Sequence, residues 1–301
     1  MVAAACVLLA ACTSSAPAPA HETGLVLLSL EDGTRKAEAI IGSDPVAVIV
    51  SDDGRIAYLA DSSPGDVYAV KLPDLHVSWR AHTGGAPFGL LLHDSRLFVS
   101  LFSGAAVVEL DPATGKKLAR HPVTAGPGVV SLDASGRVIV AGTRGEIDYL
   151  DGTSVRAGHG YAVALSGAEL WTADYERAEL VRAGDLHVVG LPMPVFPFWL
   201  SSGGHGTILV AAEGPDEDKD LGGVFAFDPT TEKFETLALL HDPDQVLMFG
   251  DTRFVAAHGD REVVAILADG SVKKLASDLP AVAVAADPAF NLLVVVANDH
   301  E

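Results

Sequence analysis

The chain has 301 residues, of which 49% are apolar and 20% are charged, so it is long enough and apolar enough to bury a large core. Forty acidic residues against twenty basic ones give a net charge of −20, which repels phosphate backbones and argues against nucleic acid as a partner. Both cysteines, Cys6 and Cys12, lie in the first dozen residues, which excludes disulfides and cysteine-based metal sites from the rest of the chain.

The N-terminal segment has the features of an export signal. Residues 2–12, VAAACVLLAAC, form an apolar run that is too short to span a bilayer and ends in small residues. Residues 9–12, LAAC, resemble the bacterial lipobox, although no Lys or Arg precedes the apolar run. The resemblance implies a lipoprotein signal peptide over 1–11, a lipid on Cys12, and export to the periplasmic or cell-surface side of a bacterial membrane. The alternatives are an ordinary signal peptide cut elsewhere and a disordered tail.

A short polar segment comes next. Residues 13–22, TSSAPAPAHE, have the Ser, Ala and Pro content of a solvated tether. We therefore expect a signal peptide over 1–11, the lipidated cysteine with its tether over 12–22, and one domain over 23–301. On this interpretation the protein contacts a membrane only through its lipid, because the remainder is acidic.

A repeat of about forty residues runs through the predicted domain. Each copy places a turn residue before a short apolar run, and the seven anchors are Pro45, Pro87, Pro127, Gly160, Pro197, Asp244 and Pro280. The intervals between successive anchors are 42, 40, 33, 37, 47 and 36 residues. This spacing is typical of a four-stranded propeller blade.

Within each period the same order of strands recurs. A polar turn follows the anchor strand, as in SDDGR at residues 51–55, and leads into a second apolar strand, as in RIAYLAD at 55–61. A third strand comes after a loop, as in DVYAVKL at 66–72, and a more polar fourth strand follows a turn. No segment shows sustained helical periodicity, so the sequence predicts an all-β fold.

Three second-strand tetrads carry a resemblance to a known repeat. They are YLAD at 58–61, WTAD at 171–174 and VVAN at 295–298. Together with the Pro-initiated anchor strands, they resemble the Tyr-Val-Thr-Asn (YVTN) type of β-propeller repeat. The resemblance covers nearly all of the chain after the tether, and it implies a shape that serves many unrelated functions.

The two ends of the chain are predicted to share a blade. Residues 280–301 supply only two strands, and the second, LLVVVA at 292–297, would leave a row of unsatisfied backbone groups if it had no partner. Residues 24–41 supply a third and a fourth strand, GLVLLSL and RKAEAII. We therefore predict a seven-bladed β-propeller with four-stranded antiparallel blades, closed by pairing of the N-terminal and C-terminal strands.

The candidate ligand site is the funnel face of the ring. In a propeller, the loops between second and third strands and those between blades share one face around the central funnel, where ligands usually bind. The residues predicted there are Asp61, Asp174, Tyr175, Glu213, His258, Asp299 and His300. Such an acidic, imidazole-bearing funnel suits a cation or a polyol. The alternative is that these loops are polar only because they meet water.

A transition-metal site is the sharpest hypothesis for this face. His241 enters the sixth blade, His258 and His300 lie in corresponding loops of the sixth and seventh blades, and Asp299 precedes His300. Neutral imidazoles with a carboxylate suit Zn²⁺ or Cu²⁺. The alternative is a set of solvated loop histidines. Apart from a divalent metal, we predict no cofactor.

A second metal hypothesis concerns the acidic loop at residues 214–223. Asp216, Asp218 and Asp220 occupy alternate positions, as in many Ca²⁺ loops. The full EF-hand pattern fails, because Leu221 stands where that pattern has glycine. A solvated acidic loop is the alternative.

One stretch is unusually aromatic. LPMPVFPFWL, at residues 191–200, interleaves three prolines with Phe196, Phe198 and Trp199. It predicts either a rigid aromatic lip that contacts a partner or an apolar segment that is buried between blades.

The sequence shows none of the common catalytic fingerprints: the nucleophile elbow, the zincin helix, the P-loop or the dinucleotide-binding glycines. Two functions remain open. One is a monomeric, non-catalytic binding or protein-interaction scaffold that receives a protein or small-molecule ligand at the funnel face. The other is a funnel-face enzyme, either a lactonase-like hydrolase or a metal-dependent oxidoreductase, because both chemistries occur on propellers that resemble this one.

Overall fold

The computed structural model describes residues 23–216 and 219–299, which form a ring of seven four-stranded antiparallel sheets. The predicted seven-bladed β-propeller is confirmed. The described residues contain no α-helix and one 3-10 turn, Gly204–Gly206. No helix in this part of the chain has the length and hydropathy needed to cross a bilayer. The predicted signal peptide, Cys12, the predicted tether, Asp218 and His300 lie outside the described residues.

The strands follow one another blade by blade around the ring. The chain begins with two outer strands of blade 7, β1 (Gly24–Ser29) and β2 (Arg35–Ala39). Blades 1, 2 and 3 follow, each from its innermost strand outward: β3 (Pro45–Val50), β4 (Ile56–Asp61), β5 (Asp66–Lys71), β6 (His76–His82); β7 (Pro87–His93), β8 (Arg96–Leu101), β9 (Ala106–Leu110), β10 (Lys117–Pro122); β11 (Pro127–Leu132), β12 (Val138–Gly142), β13 (Glu146–Tyr149), β14 (Ser154–Arg156).

The second half of the ring repeats this order. Blades 4, 5 and 6 are built from β15 (Val163–Ser166), β16 (Glu169–Asp174), β17 (Glu179–Arg182), β18 (Val188–Gly190); β19 (Phe196–Ser202), β20 (Ile208–Glu213), β21 (Gly222–Asp228), β22 (Lys233–Leu240); β23 (Pro243–Phe249), β24 (Thr252–Ala257), β25 (Glu262–Ile266), β26 (Val272–Ser277). Blade 7 is completed by its two inner strands, β27 (Ala281–Asp287) and β28 (Leu292–Ala297).

Blade 7 closes the ring as the sequence predicts. β1 pairs with β28 over its whole length, from Gly24 opposite Ala297 to Ser29 opposite Leu292. Every residue of both strands is buried. The apolar C-terminal strand therefore has a hydrogen-bonded neighbour on each side, and this pairing removes the unsatisfied edge.

Burial across each blade follows the polarity of its strands. In blade 1, β4 is almost fully buried, whereas β6 alternates between exposed and half-buried residues because one of its faces meets water. Apolar side chains from adjacent blades pack together into shared clusters, such as the one that joins Leu27 and Val294 of blade 7 to Val48 and Leu59 of blade 1. The core is thus a series of layers between blades.

The inner strand of four blades begins at a proline, namely Pro45, Pro87, Pro127 or Pro243. The register with the second strand shifts directly after each of these prolines, which marks a β-bulge. In the sixth blade Pro243 rather than Asp244 holds the repeated position. Asp244 is the residue inside the bulge, since Pro243 pairs with Ala257 and Gln245 with Ala256.

Residues at and near these bulges reach the axis of the ring. Side chains from five blades line one small central cavity of about 30 Å³, and they include Val46, Phe88, Phe198, Asp244 and Val282. Four of these five side chains are apolar. Asp244 is therefore the charged residue among those that line this central cavity.

Candidate functional site

A cavity of about 440 Å³ opens on the funnel face between blades 4 and 7. It is lined by Tyr161, Tyr175, Phe198, Glu213, Asp242, Asp244, His258, Gly259, Arg261 and Asp299. These residues lie at the ends of second strands, in the loops that follow them, at blade junctions and in the first residues of inner strands. The cavity thus occupies the place at which propellers collect side chains from several blades.

One side of the funnel is a connected set of six half-buried rings, which we call the aromatic arc: Phe88, Phe102, Tyr161, Tyr175, Phe196 and Phe198. Tyr161 lies at its centre, with ring centroids 5.2 Å from Phe198 and 5.8 Å from Phe88. Tyr175 stacks on Phe196 at 5.2 Å. These separations are typical of favourable aromatic pairs. Two rings of the 191–200 stretch thus belong to the funnel.

Tyr161 reaches the funnel because blades 3 and 4 approach each other closely at Gly128. The N–H of Val129 donates to the carbonyl oxygen of Tyr161 at 2.7 Å. A Cβ atom on Gly128 would lie 2.1 Å from that oxygen, so any larger residue would push the two backbones apart. Burial, together with the charge of Glu213, raises the pKa of the Tyr161 hydroxyl.

The adjoining part of the lining holds three carboxylates, Glu213, Asp242 and Asp244, which we call the acidic arc. Their residues are 6%, 9% and 6% exposed, and one oxygen from each lies within 4.8 Å of the others. Glu213 ends β20, Asp242 joins blade 5 to blade 6, and Asp244 occupies the bulge of β23. Asp242 has a φ of 44°, in the left-handed region that aspartate tolerates better than most residues.

Polar contacts connect the acidic arc to its surroundings. His258 lies with Nδ1 3.2 Å from an Asp242 oxygen and Nε2 3.2 Å from the carbonyl oxygen of Asn298. The Tyr175 hydroxyl donates to Glu213 at 2.6 Å, which joins the acidic arc to the aromatic arc. At the rim, Arg261 donates to Asp299 at 2.5 Å.

The structure places four of the seven predicted funnel residues in the cavity lining: Tyr175, Glu213, His258 and Asp299. Asp61 and Asp174 lie elsewhere, and both are buried. Asp61 accepts the backbone N–H groups of Asp44 at 2.6 Å and Ser43 at 3.0 Å. Burial raises its pKa, although these two amides oppose the shift. Asp174 forms an ion pair with Arg177 at 3.2 Å.

Only some of the residues predicted to bind a transition metal line the cavity. His258 and Asp299 line the cavity, whereas His241 is outside its lining. His241 contacts Asp260 through both its ring Nδ1 and its backbone N–H, at 2.9 Å each. Because His300 is outside the described residues, this site stays a prediction. The acidic arc offers oxygen donors instead, which suit Mg²⁺ or Ca²⁺ better than Zn²⁺ or Cu²⁺.

Hydrogen bonds within the acidic loop at residues 214–223 involve Asp216, one of the predicted calcium ligands. The carboxylate of Asp216 accepts a hydrogen bond from Lys219 at 2.6 Å, and its carbonyl oxygen accepts the N–H groups of Lys219 and Asp220. Asp218 lies between these positions and is not described. Calcium binding by this loop stays a prediction.

Sequence reasoning did not place Asp242, Asp244, Tyr161, Phe198 or Arg261 among the funnel residues. One signal was present. Val46, Phe88, Gly128, Tyr161 and Phe198 directly follow the first five anchors, and the strand pairing adds Asp244 after Pro243 and Val282 after Ala281 to this series. Asp244 is the one charged residue in that series, so a search of the inner strands as well as the loops would have found it.

Comparisons with known proteins identify the fold. No protein-family model and no curated protein matches the chain. Among solved structures, it is similar to a streptogramin B lyase (TM-score 0.71, 11% identity, 90% of this chain and 97% of that one). It is also similar to the periplasmic gluconolactonase PpgL of Pseudomonas aeruginosa (0.63, 14%, 84% and 95%). A third similar structure is BamB from Moraxella catarrhalis (0.56, 16%, 94% and 94%). At these identities the likeness shows the fold alone.

Proposed function

We propose that this protein is a non-catalytic binding propeller that holds a small ligand in its funnel cavity. The observation that carries the proposal is the cavity itself, whose volume of about 440 Å³ is in the range of sites for small organic molecules. Aromatic and charged side chains share its lining, as they do in binding sites that combine apolar contact with orientation. We also propose that the repeat is of the YVTN type, on the three tetrads of the second strands.

The contacts of the ionisable groups support binding more than catalysis. Arg261 is held by Asp299, and Glu213 accepts a hydrogen bond from Tyr175. Groups held in this way give a cavity a fixed shape and charge, which is what recognition needs. The similar solved structures include a lyase, a gluconolactonase and BamB, so the fold alone does not decide between the two classes.

A ligand screen tests the proposal. The full-length chain is screened by thermal shift against a chemically diverse set of small molecules, in parallel with Asp244→Asn and Asp52→Asn. Asp52 is exposed in the β3–β4 turn, at the opposite end of β3 from the funnel, so its variant controls for the loss of one charge. We expect compounds that stabilise the wild type and Asp52→Asn but not Asp244→Asn. Equal stabilisation of all three proteins, or no stabilising compound, would contradict the proposal.

A funnel-face enzyme is the second candidate, and the pair of His258 and Asp242 favours it. A carboxylate 3.2 Å from Nδ1 can orient an imidazole for proton transfer. The two chemistries to test are a lactonase-like hydrolase and a metal-dependent oxidoreductase. Hydrolysis of δ-gluconolactone and other lactones by the wild type, lost in His258→Gln, would establish the first. Metal-dependent turnover of a redox dye would establish the second.

We further propose that the protein is exported and anchored to a bacterial membrane through a lipid on Cys12. β1 begins opposite the end of β28, and Asp299, two residues after that end, lines the cavity. The tether therefore joins the domain on its funnel face. Eleven residues, 12–22, span at most about 40 Å when fully extended. Membrane fractionation of Cys12→Ser, with mass spectrometry of the wild-type N-terminal peptide, tests the anchor: an unlipidated Cys12 contradicts it.

A further inference from the structure

The two arcs of the funnel line one cavity, and this arrangement restricts the chemistry of its ligand. Tyr161, Tyr175 and Phe198 of the aromatic arc are in its wall, as are all three carboxylates of the acidic arc. A ligand that fills the cavity therefore contacts both arcs. If the funnel binds a ligand as proposed, its lining also restricts the class of molecule that it holds.

The charge of the cavity lining is negative. Its described residues include four carboxylates, Glu213, Asp242, Asp244 and Asp299, against the guanidinium of Arg261 and the imidazole of His258. With all four carboxylates ionised, four acids against two basic groups leave a charge of −2 when His258 is protonated and −3 when it is neutral. Since the whole chain also carries −20, the long-range field draws cations toward the funnel.

The acidic arc places like charges close together in a site of low exposure. Carboxylate oxygens within 4.8 Å of one another repel, and burial strengthens that repulsion because less water screens it. A neutral polyol can donate hydrogen bonds to these oxygens but leaves the repulsion in place. A ligand with positive charge relieves it.

The aromatic wall distinguishes an organic cation from a metal ion. A hard metal ion takes oxygen ligands and water and uses no aromatic rings, and its coordination shell needs much less than 440 Å³. Three half-buried rings in the same wall offer apolar surface and the negative faces of π systems. Aromatic side chains beside carboxylates are the composition that binds ammonium groups attached to an apolar body.

We infer that the funnel cavity binds an organic cation, with its ammonium group at the acidic arc and its apolar body against Tyr161, Tyr175 and Phe198. Each arc then contributes a separate part of the affinity. The carboxylates pair with the charge, and the rings cover the carbon skeleton. A molecule that has only one of the two parts binds more weakly than a molecule that has both.

Five probes test this division on the full-length chain by isothermal titration. Benzylamine carries a ring and a charge, benzyl alcohol the ring alone, methylamine the charge alone, and Ca²⁺ the charge of a metal. We expect benzylamine to bind at least about tenfold more tightly than benzyl alcohol or methylamine, as one charged contact to a desolvated site provides. Glucose serves as the neutral polyol.

Substitutions in each arc test which part of the cavity binds the amine and which part binds the ring. Asp244→Asn and Glu213→Gln should each weaken benzylamine by about tenfold without weakening benzyl alcohol, and Phe198→Leu should weaken both by several-fold. The matched controls are Asp52→Asn and Glu235→Gln, since both residues are exposed outside the funnel. Circular dichroism of each variant checks that it is folded.

The titrations distinguish an error in the class of ligand from an error in the proposed binding function. If Ca²⁺ or glucose binds in an Asp244-dependent manner while benzylamine is no better than benzyl alcohol, the organic cation is wrong and a funnel ligand remains. If no probe binds, the organic cation is wrong, and the broader thermal-shift screen alone decides whether the funnel binds any ligand.

Discussion

The aromatic arc and the acidic arc line the same cavity, and opposite forces act within them. The six rings of the aromatic arc are mutually attractive, with centroid separations of 5.2 to 6.5 Å, so their packing adds to the stability of the fold. The three carboxylates of the acidic arc repel one another when they are ionised. Packing of the aromatic arc is expected from stability alone, whereas a cluster of buried carboxylates is not. A cationic ligand would offset the repulsion within the acidic arc.

Removing the central ring should break the aromatic arc. Tyr161 has ring contacts with Phe88, Phe102, Phe198 and Tyr175, so Tyr161→Ala leaves a gap in the middle of the set. We expect the free energy of unfolding in urea to fall by roughly 2–4 kcal/mol. Tyr161→Phe keeps the ring and should stay within about 1 kcal/mol of the wild type. A loss as small for Ala as for Phe would show that these rings are not a packed unit.

A glycine substitution tests how the aromatic arc is positioned. Gly128→Ala forces a Cβ atom against the Tyr161 carbonyl and should cost about 1–3 kcal/mol of unfolding free energy. Gly190→Ala is the control, since a Cβ atom on Gly190 meets nothing within 4 Å. Near-ultraviolet circular dichroism should change for the first variant, because its tyrosine environment shifts. Equal stability of the two variants would mean that Gly128 is not needed for the close approach.

Neutralising one carboxylate of the acidic arc should raise the free energy of unfolding, whereas the substitutions in the aromatic arc lower it. Two like charges about 5 Å apart repel by about 3 kcal/mol at an effective dielectric constant of about 20. Relief of part of this repulsion in Asp244→Asn should raise the unfolding free energy of the ligand-free protein by about 1 kcal/mol. Asp52→Asn should change it by less than about 0.5 kcal/mol. A destabilised Asp244→Asn would indicate that Asp244 makes contacts that outweigh the repulsion.

Asp287, a buried carboxylate outside the acidic arc, should give the smallest change in stability when it is neutralised. Asp287 is fully buried in blade 7, where it accepts the N–H of Ala289 at 2.9 Å. Burial raises its pKa above the unfolded value. Its stabilising contribution is therefore fully present below about pH 4 and is lost as the pH rises through the folded pKa.

Asp287→Asn removes the ionisable group and with it the fall in stability at higher pH. Relative to the wild type, the variant should gain stability between about pH 4 and pH 7, with a smaller gain at pH 7 than Asp244→Asn shows. Thermal melts of both variants and the wild type at a series of pH values measure the difference. A difference for Asp287→Asn that does not change with pH would contradict the raised pKa.

The sequence carries enough local information to predict the ring. Turn residues and alternating apolar runs recur with each blade, and the hydrophobic strand at 292–297 requires a partner that the N-terminal strands supply. Loop positions follow from the order of strands, which is why Tyr175, Glu213 and His258 could be named as funnel residues in advance.

The rest of the site depends on details that no local pattern contains. Asp244 faces the axis because a bulge follows Pro243, and Tyr161 enters the funnel because Gly128 lets two backbones approach. Asp61 and Glu213 both come at the end of a second strand, yet Asp61 accepts backbone amides of a blade junction while Glu213 lines the cavity. Such differences arise from tertiary packing of adjacent blades.

A crystal structure of the full-length chain with benzylamine would show whether the two arcs bind one ligand. We expect benzylamine in the funnel cavity, with its amine within about 3.5 Å of a carboxylate oxygen of Glu213, Asp242 or Asp244 and its ring against Tyr161 or Phe198. Benzylamine bound elsewhere on the ring, or bound in the cavity with its amine turned away from all three carboxylates, would contradict this binding mode.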